Sequence, residues 1–270
     1  MCIRDSSYTV NNIEVTLRQG KTWYVSVNGN DTNVGNHENG PFLTVVKALS
    51  VAQSGDTIQI YPGTYVETCP MTVPVGVTIK GLDIRTVIIS PTAATRNKDI
   101  FLVNGETTIE DLTVTGFEYD SVNNTGYAFK FAPNFKVSSR SPYMKNVSVI
   151  TQGSTVRLGT APSDDPRGFL AGDAGRGAYV DGALANSTSK EASLLFHSCT
   201  FICPNTDTIV MTNGVRVEWL NCFTYFANTG LKATNGTTGF NQTDYVYDAV
   251  TGKYLPSNAI RFSLTCDAPT

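Results

Sequence analysis

The sequence predicts an all-β chain wound into a right-handed parallel β-helix, a solenoid that begins with a capping α-helix. Three observations lead to this fold class. Thr, Asn, Gly and Val are abundant and only 16% of the residues are charged, which is the composition of strands joined by tight turns. A six-residue pattern recurs along the chain. One amphipathic segment lies ahead of the first copy of that pattern.

The repeated pattern is an apolar residue, any residue, a residue that tolerates a sharp bend, an apolar residue, any residue and another apolar residue. IKGLDI from Ile79, IEDLTV from Ile109, MKNVSV from Met144 and FHSCTF from Phe196 match it in full, and WLNCFT from Trp219 matches five of its six positions. The third residues of the copies are Gly81, Asp111, Asn146, Ser198 and Asn221. Gly, Asn and Asp reach φ > 0 at low cost, so a strand bends there and points apolar side chains inward on both sides. We expect these residues to form a column along a solenoid axis.

The amphipathic segment spans residues 42–54. It places apolar residues at helical spacing, and Gly55 follows as a C-terminal cap. These apolar residues are Phe42, Val45, Val46, Leu49 and Ala52. A stack of coils leaves its first coil with an unpaired edge and an open apolar end, which this helix would cover.

The chain divides into four parts. Residues 1–6, MCIRDS, resemble a translated sequencing-adaptor scar in open reading frames from environmental DNA, and we expect the natural protein to begin further upstream. Residues 7–21 are an N-terminal segment. Residues 22–230 are the β-helix, with an insertion at 152–191 that is rich in Gly, Asp and Arg. Residues 231–270 hold further strands or the start of a next module.

Composition argues against several classes of partner. The chain has 270 residues, 41% of them hydrophobic, and a net charge of −3, so it can bury a large core but offers no strong field for nucleic acid. No apolar run is long enough to span a membrane. Six cysteines without CxxC spacing and two histidines predict free thiols, with no metal and no cofactor.

Two segments near the start resemble a known group of proteins. YVSVNGNDTNVGNHENGPF (24–42) and KALSVAQSGDTIQIYPGTYVE (47–67) resemble the opening of right-handed β-helix proteins of the pectate-lyase-like superfamily. There, a tyrosine-initiated strand, an Asn/Gly/Asp loop, a capping helix and a coil carrying GDTI and PGTY occur in this order. The resemblance implies the fold. It also implies that an enzyme of this kind would use clustered carboxylates to hold calcium and a basic residue to abstract a proton.

The insertion supplies side chains of that chemical kind. They are Asp164, Asp165, Arg167, Asp173, Arg176 and Asp181. All six lie within one irregular loop, whereas lyase acids project from stacked strands of neighbouring coils. We therefore interpret them as candidates for a ligand-binding loop, with ion pairs that order the loop as the alternative, and we assign no catalytic residue.

A second acidic stretch could serve glycosidase chemistry, which needs two carboxylates facing each other across a groove. Its members are Glu106, Glu110, Asp111, Glu118 and Asp120. Glu110 takes an outward position and Asp111 is a bend residue, so a solvated strand face is the preferred interpretation. His197 also takes an outward position.

Aromatic and cysteine side chains each leave two interpretations open. Trp219, Phe223, Tyr225 and Phe226 cluster on one coil, where they either fill the core or stack on sugar rings. Cys199 and Cys222 occupy the same position in successive copies of the pattern. We expect them to pack inward as free thiols, with a disulfide as the alternative.

A narrower resemblance concerns function. DPRGFLAGDAGRGAYVDG (165–182), KEASLLFHSCTF (190–201) and NGVRVEWLNCFTYFANTGLKA (213–233) resemble virion structural proteins of marine tailed phages, especially cyanophages. This implies a tail-fibre or spike-like rod located in the virion, with other virion proteins and a host surface polysaccharide as partners. A homotrimer follows by analogy with phage spikes. The alternatives are a polysaccharide lyase or glycoside hydrolase on the same fold and a secreted or cell-surface bacterial adhesin.

Overall fold

The computed structural model describes residues 20–137, 140–152, 174–184 and 192–234, together with the backbone of five further strands near the ends of the chain. In chain order the strands and the α-helix are β1 (Asp5–Val10), β2 (Ile13–Arg18), β3 (Thr22–Val25), α1 (Val45–Val51), β4 (Thr57–Ile60), β5 (Gly63–Glu67), β6 (Met71–Thr72), β7 (Thr78–Gly81), β8 (Val87–Pro91), β9 (Phe101–Val103), β10 (Thr108–Thr115), β11 (Tyr127–Phe131), β12 (Tyr143–Ile150), β13 (Arg176–Asp181), β14 (Ser193–His197), β15 (Thr200–Ile202), β16 (Asp207–Thr212), β17 (Arg216–Leu220), β18 (Phe223–Tyr225), β19 (Thr229–Thr234), β20 (Tyr245–Asp248), β21 (Lys253–Pro256) and β22 (Phe262–Thr265). Short 3-10 helices cover Ala93–Thr95 and Gly182–Leu184.

The strands form three parallel faces that wind around one core. The first sheet runs β3, β4, β7, β10, β12, β14, β17 and β22, and the third sheet runs β6, β9, β11, β13, β16 and β19. The second sheet contains β5, β8, β15 and β18 together with the later halves of β10 and β12, which pass through the corner between the first two sheets. This arrangement is a parallel β-helix, so the predicted fold class is confirmed.

The five copies of the repeated pattern stack in register. Ile109 pairs with Ile79 on one side and Met144 on the other, and Phe196 and Trp219 continue the same row. Four of the bend residues hold left-handed backbone: φ is 60° at Asp111, 51° at Asn146, 54° at Ser198 and 49° at Asn221. The predicted column along the axis is therefore present.

Gly81 belongs to the same column for a different reason. It does not have a positive φ, unlike the other four bend residues. A Cβ atom on Gly81 would lie 2.1 Å from the carbonyl oxygen of Asp111 in the next coil. Glycine is needed here because two backbones approach closely, not because the chain turns through the left-handed region.

Inward positions of the three sheets form one continuous apolar core. Ile58, Ile79, Ile109, Met144 and Phe196 line it from the first sheet, and all are fully buried. The third sheet contributes a second row, in which the rings of Phe101 and Phe129 stack with centroids 6.0 Å apart. Stacked apolar rows of this kind bury each coil against both of its neighbours, so a coil gains little stability on its own.

The capping helix is shorter than the sequence indicates. It covers Val45–Val51 instead of 42–54, with Thr44 as the N-cap and Ala52 as the C-cap. Phe42 lies before the helix in a parallel bridge to Val25, and its buried ring fills the end of the core. The Thr44 hydroxyl accepts a hydrogen bond from the amide of Lys47, so the helix begins three residues later than the apolar spacing alone suggests.

Two carboxylates hold the start of α1. Asp31 accepts hydrogen bonds from the amides of Leu43 and Thr44 at 2.8 and 3.0 Å. Glu67, at the end of β5 and almost fully buried, accepts hydrogen bonds from the amides of Val45 and Val46 at 2.7 and 3.2 Å. These bonds tie the cap to the first coils, because amides in the first turn of a helix have no partner within the helix.

Some strands fall outside the stretch of regular pattern. Residues 176–181, within the segment predicted as an insertion, form β13 of the third sheet. Beyond residue 230, β19 continues to Thr234 and β22 pairs in parallel with β17, while β20 and β21 form an antiparallel pair.

No helix within the described residues has the length and apolar character needed to cross a membrane.

Replacing Asn146 tests the energetics of the bend column. The Asn146 side chain donates a 2.7 Å hydrogen bond to the Asp111 carboxylate, and its backbone is left-handed. Both Asn146→Gly and Asn146→Ala lose the hydrogen bond. Gly adopts the left-handed region freely, whereas Ala has neither that freedom nor the side-chain amide that helps Asn to hold it. We expect the free energy of unfolding of the Ala variant, measured with urea, to be about 1 kcal/mol lower than that of the Gly variant. Equal losses in the two variants would show that the backbone conformation contributes nothing.

Glu67 makes stability depend on pH. Burial raises the pKa of the Glu67 carboxyl, and the hydrogen bonds from Val45 and Val46 offset this only in part. Because the pKa is higher in the folded state, Glu67 contributes stability below its unfolded pKa and loses it as pH rises through the folded pKa. We expect the stability of the wild type relative to Glu67→Gln to be greater at pH 4 than at pH 7, measured by urea unfolding. A relative stability that increases with pH would instead mean that the helix amides outweigh burial.

Candidate functional site

The outer face of the first sheet carries a column of side chains, each immediately before a copy of the repeated pattern. Strand register places them opposite one another in successive coils. The column consists of Thr78, Thr108, Tyr143, Leu195 and Glu218. Side chains alternate across a strand, so the residue before an inward apolar residue faces outward.

This column forms the floor of a long groove with a volume of about 570 Å³. The rest of the lining comes from turns that lead into the first sheet, at Ser54, Gly55, Gly76, Glu106, Arg140 and Ser141. The lining spans six neighbouring coils, from the turn before β4 to β17, which at a strand spacing of ~4.8 Å gives a length of about 24 Å. A groove of this shape suits an extended chain better than a compact cofactor.

A second outward column, two residues further along each strand, is a ladder of charges. Lys80 lies 2.9 Å and Lys145 lies 3.9 Å from the carboxylate of Glu110, so the acid is held between two cations from adjacent coils. The hydrogen bond with Glu110 raises the pKa of Lys80. Glu110 thus faces outward as predicted, but it is an ion-paired residue and not a freely solvated one.

Tyr143 is the aromatic member of the groove floor. Its hydroxyl lies 2.7 Å from Nδ1 of His197, and the two rings stack with centroids 6.1 Å apart. Burial raises the pKa of the Tyr143 hydroxyl, and the nearby Cys199 and Glu110 add to the shift. The phenol therefore stays protonated and can act as a hydrogen-bond donor. Ser141 and Ser193, linked hydroxyl to hydroxyl, place further polar groups beside it.

The groove carboxylates are too far apart to act as a pair. Glu106 precedes β10 and Glu218 lies on β17, three strands away, which corresponds to about 14 Å. Glycoside hydrolysis needs two carboxyl groups ~5 to 10 Å apart. Glu218 also forms a salt bridge with Arg216. Within the described residues, no group of three or more His, Cys, Asp or Glu side chains is placed to hold a metal ion.

Four of the predicted ligand-loop residues, Asp164, Asp165, Arg167 and Asp173, lie outside the described residues. The other two, Arg176 and Asp181, stand at opposite ends of β13, about 17 Å apart along the strand. The guanidinium of Arg176 stacks 3.6 Å from the ring centroid of Tyr119. The carboxylate of Asp181 accepts hydrogen bonds from the amide of Ala183 and the side chain of Asn213, at 2.9 and 2.7 Å. Arg176 and Asp181 therefore do not form one site.

The other acidic residues of the 106–120 stretch are also separated. Asp111 is a bend residue that accepts a hydrogen bond from Asn146, and Glu118 forms a 2.5 Å salt bridge with Arg96. Asp120 accepts hydrogen bonds from the amides of Val122 and Asn123 in the following turn. Hydrogen bonds from Asn123 lower the pKa of Asp120. Each of these acids orders a different corner or turn.

The aromatic cluster divides between core and surface. Trp219 is only 8% exposed and packs against Phe196 and Phe201 in the core. Phe223, Tyr225 and Phe226 are 52%, 47% and 48% exposed on the outside of β18 and the turn after it. These three rings lie on the second sheet and not in the groove.

The groove floor was not singled out from the sequence, although a signal was available. Thr78, Thr108, Tyr143, Leu195 and Glu218 each stand one position before a copy of the repeated pattern. The residues at that position in successive copies form the groove floor, and the residues at the second position of the pattern form the charge ladder. The turn residues Glu106 and Arg140 have no equivalent signal, because the turns differ in length from coil to coil.

Comparisons with known proteins give one family and several structures. A protein family of unknown function, DUF1565, matches residues 27–85, and no curated protein matches the chain. A rhamnogalacturonan lyase is similar with 18% identity and a TM-score of 0.48, over 85% of this chain and 64% of the lyase, so the chain spans less than two thirds of that structure. The pectin methylesterase PemA from Erwinia chrysanthemi is similar with 15% identity and a TM-score of 0.45, over 74% of this chain and 54% of the esterase. A pectin methylesterase in complex with hexasaccharide VII is similar with 13% identity and a TM-score of 0.42, over 81% of this chain and 72% of the esterase.

Proposed function

We propose that this protein is a rod-like structural protein that binds an extended, neutral polysaccharide along the groove of its first sheet and does not cleave it. The observation that carries the proposal is the outward column of the groove floor, which repeats at the strand spacing over neighbouring coils. A ligand that makes similar contacts to each coil must itself be an extended polymer. A compact substrate would use only a small part of such a surface.

The chemistry of the floor favours a sugar polymer. Hydroxyl groups of Thr78, Thr108 and Tyr143 can exchange hydrogen bonds with sugar hydroxyls, and Tyr143 adds an aromatic ring. Leu195 supplies an apolar contact next to that ring. Few polymers other than polysaccharides combine dense hydroxyl groups with apolar ring faces along their length.

The charge balance favours a neutral polymer. Lys80 and Lys145 are compensated by Glu110 and by Asp111, which lies 3.9 Å from Lys80, and Glu218 is paired with Arg216. A polymer with a carboxylate on every sugar would need a row of uncompensated cations to offset its own repulsion and desolvation. The separation of Glu106 from Glu218 supports binding without hydrolysis, because no carboxylate of the described floor faces a second one across a bond.

We further propose that this rod is part of a tailed-phage virion, as a tail fibre or spike. The support is the sequence resemblance over residues 165–182, 190–201 and 213–233. In that setting the partners are other virion proteins and a host surface polysaccharide, and the expected assembly is a homotrimer. Neighbouring capsid and tail genes would support this setting, whereas a secretion signal encoded upstream would support a bacterial adhesin.

A bulky side chain in the middle of the floor tests the binding site. Thr108 lies between Thr78 and Tyr143 in the column. We expect Thr108→Arg to lower the affinity for a neutral hexasaccharide by at least about tenfold, close to 1.4 kcal/mol, because the side chain blocks the path of the polymer. The measurement is isothermal titration calorimetry with hexasaccharides of β-linked glucose, galactose and mannose, chosen after a screen on immobilised polysaccharides.

Thr64→Arg is the matched control. Thr64 is an exposed outward threonine on β5 of the second sheet, so the variant carries the same change in size and charge away from the groove. It should bind like the wild type. The proposal fails if no neutral polymer binds, if both variants lose affinity equally, or if hexagalacturonate binds more tightly than every neutral hexasaccharide. Shortening of a bound polymer on prolonged incubation would contradict the non-catalytic role.

A further inference from the structure

We propose that Cys199 and Cys222 form an oxidation site, at which a small disulfide compound converts the two thiols into a covalent bond between neighbouring coils. This inference does not depend on the proposed function. It concerns the corner between the first and second sheets, near the end of the described solenoid. Both cysteines are free thiols in the structure.

Strand register places the two cysteines directly opposite each other. His197 pairs with Leu220 before the corner and Thr200 pairs with Phe223 after it, so residues 199 and 222 face each other in adjacent parallel strands. Neighbouring strands lie ~4.8 Å apart, and disulfides form at Cα separations of ~4.4 to 6.8 Å. A bond can therefore form without moving either coil by more than a small amount.

Both sulfur atoms form hydrogen bonds with backbone groups at or beside this corner. The amide of Cys199 donates a hydrogen bond to Sγ of Cys222 at 3.2 Å, in place of a bond to a backbone carbonyl. Sγ of Cys199 points back to the carbonyl oxygens of Met144 and His197 at 3.3 and 3.4 Å. Cys199 is fully buried, whereas Cys222 is half-buried and is therefore the more accessible thiol of the two.

The environment makes Cys222 the better nucleophile of the two. The hydrogen bond with the Cys199 side chain lowers the pKa of the Cys222 thiol, and the amide of Cys199 adds to this effect. Burial raises the pKa of Cys199, which therefore keeps its proton. The thiolate is the form that attacks a disulfide.

The reaction proceeds in two balanced steps. The Cys222 thiolate attacks a sulfur of oxidised glutathione, which forms a mixed disulfide and releases one glutathione thiolate. Cys199 then loses its proton to that thiolate or to water and attacks Sγ of Cys222, which releases the second glutathione. Two protein thiols are oxidised by two electrons, and one glutathione disulfide is reduced to two thiols.

The other two described cysteines serve as internal references. Cys69 and Cys203 are both buried, and burial raises the pKa of each thiol to about 12. Neither lies opposite a cysteine in an adjacent coil of the described chain. We expect both to stay reduced under conditions that oxidise the Cys199–Cys222 pair.

The test uses the full chain with Cys2 and Cys266 replaced by Ser, so that only the four described cysteines remain. The folded protein is incubated with excess oxidised glutathione, its free thiols are alkylated, and its peptides are mapped by mass spectrometry. The expected product is one Cys199–Cys222 disulfide with Cys69 and Cys203 alkylated. The bond should raise the melting temperature by about 5 °C.

Single replacements separate the two steps. In the same background, Cys199→Ser should accumulate the mixed disulfide at Cys222, because the resolving thiol is missing, whereas Cys222→Ser should take up no glutathione. Cys203→Ala is the matched control and should still form the Cys199–Cys222 bond. The proposal is overturned if the background protein stays fully reduced, if the bond joins a different pair, or if Cys199→Ser and Cys222→Ser take up glutathione equally.

Discussion

The structure depends on a column of backbone corners at which non-glycine residues hold the left-handed conformation in successive coils. Each such corner costs an ordinary L-residue roughly 1 to 2 kcal/mol, and Asp and Asn reduce this cost by local hydrogen bonds. The turn at Asp111 points Ile109 and Leu112 into the same core from two different sheets, and both are fully buried. Apolar burial of this size exceeds the cost of the corner. The corner and the core therefore stabilise each other, and neither would persist alone.

Parallel stacking in register places equivalent side chains of successive coils directly opposite one another. Identical charges at the strand spacing of ~4.8 Å would repel, and the outward column alternates lysine, glutamate and lysine at Lys80, Glu110 and Lys145. The same rule lines up hydroxyl groups along the groove floor and brings Cys199 opposite Cys222. The groove, the charge ladder and the thiol pair are thus three consequences of one register, which the corner column determines.

The register of the coils could be predicted from the sequence because the residues that determine it act locally. An apolar position and a bend-tolerant residue keep their meaning wherever the pattern occurs, so five separated copies predicted one stacked column. Features that depend on contacts between coils were not predictable in this way. The close approach that requires glycine at Gly81, the binding of the first α1 amides by Glu67 and the stacking of Arg176 on Tyr119 each involve residues far apart in sequence. The groove is predictable only in part. Its floor follows from the register, whereas its turn residues do not.

The groove can act as a binding site only because the coils beneath it are rigid. A polymer that contacts several coils gains a small free energy from each, and these gains add up only if the spacing of the contacts is fixed in advance. The close-packed core rows and the corner hydrogen bonds, such as that between Asn146 and Asp111, set this spacing before any ligand arrives. A covalent bond between Cys199 and Cys222 would act on the same property, since it restrains the coil that carries Leu195 against the coil that carries Glu218. Rigidity of the stack is therefore the property that links the fold, the proposed polysaccharide site and the proposed oxidation site.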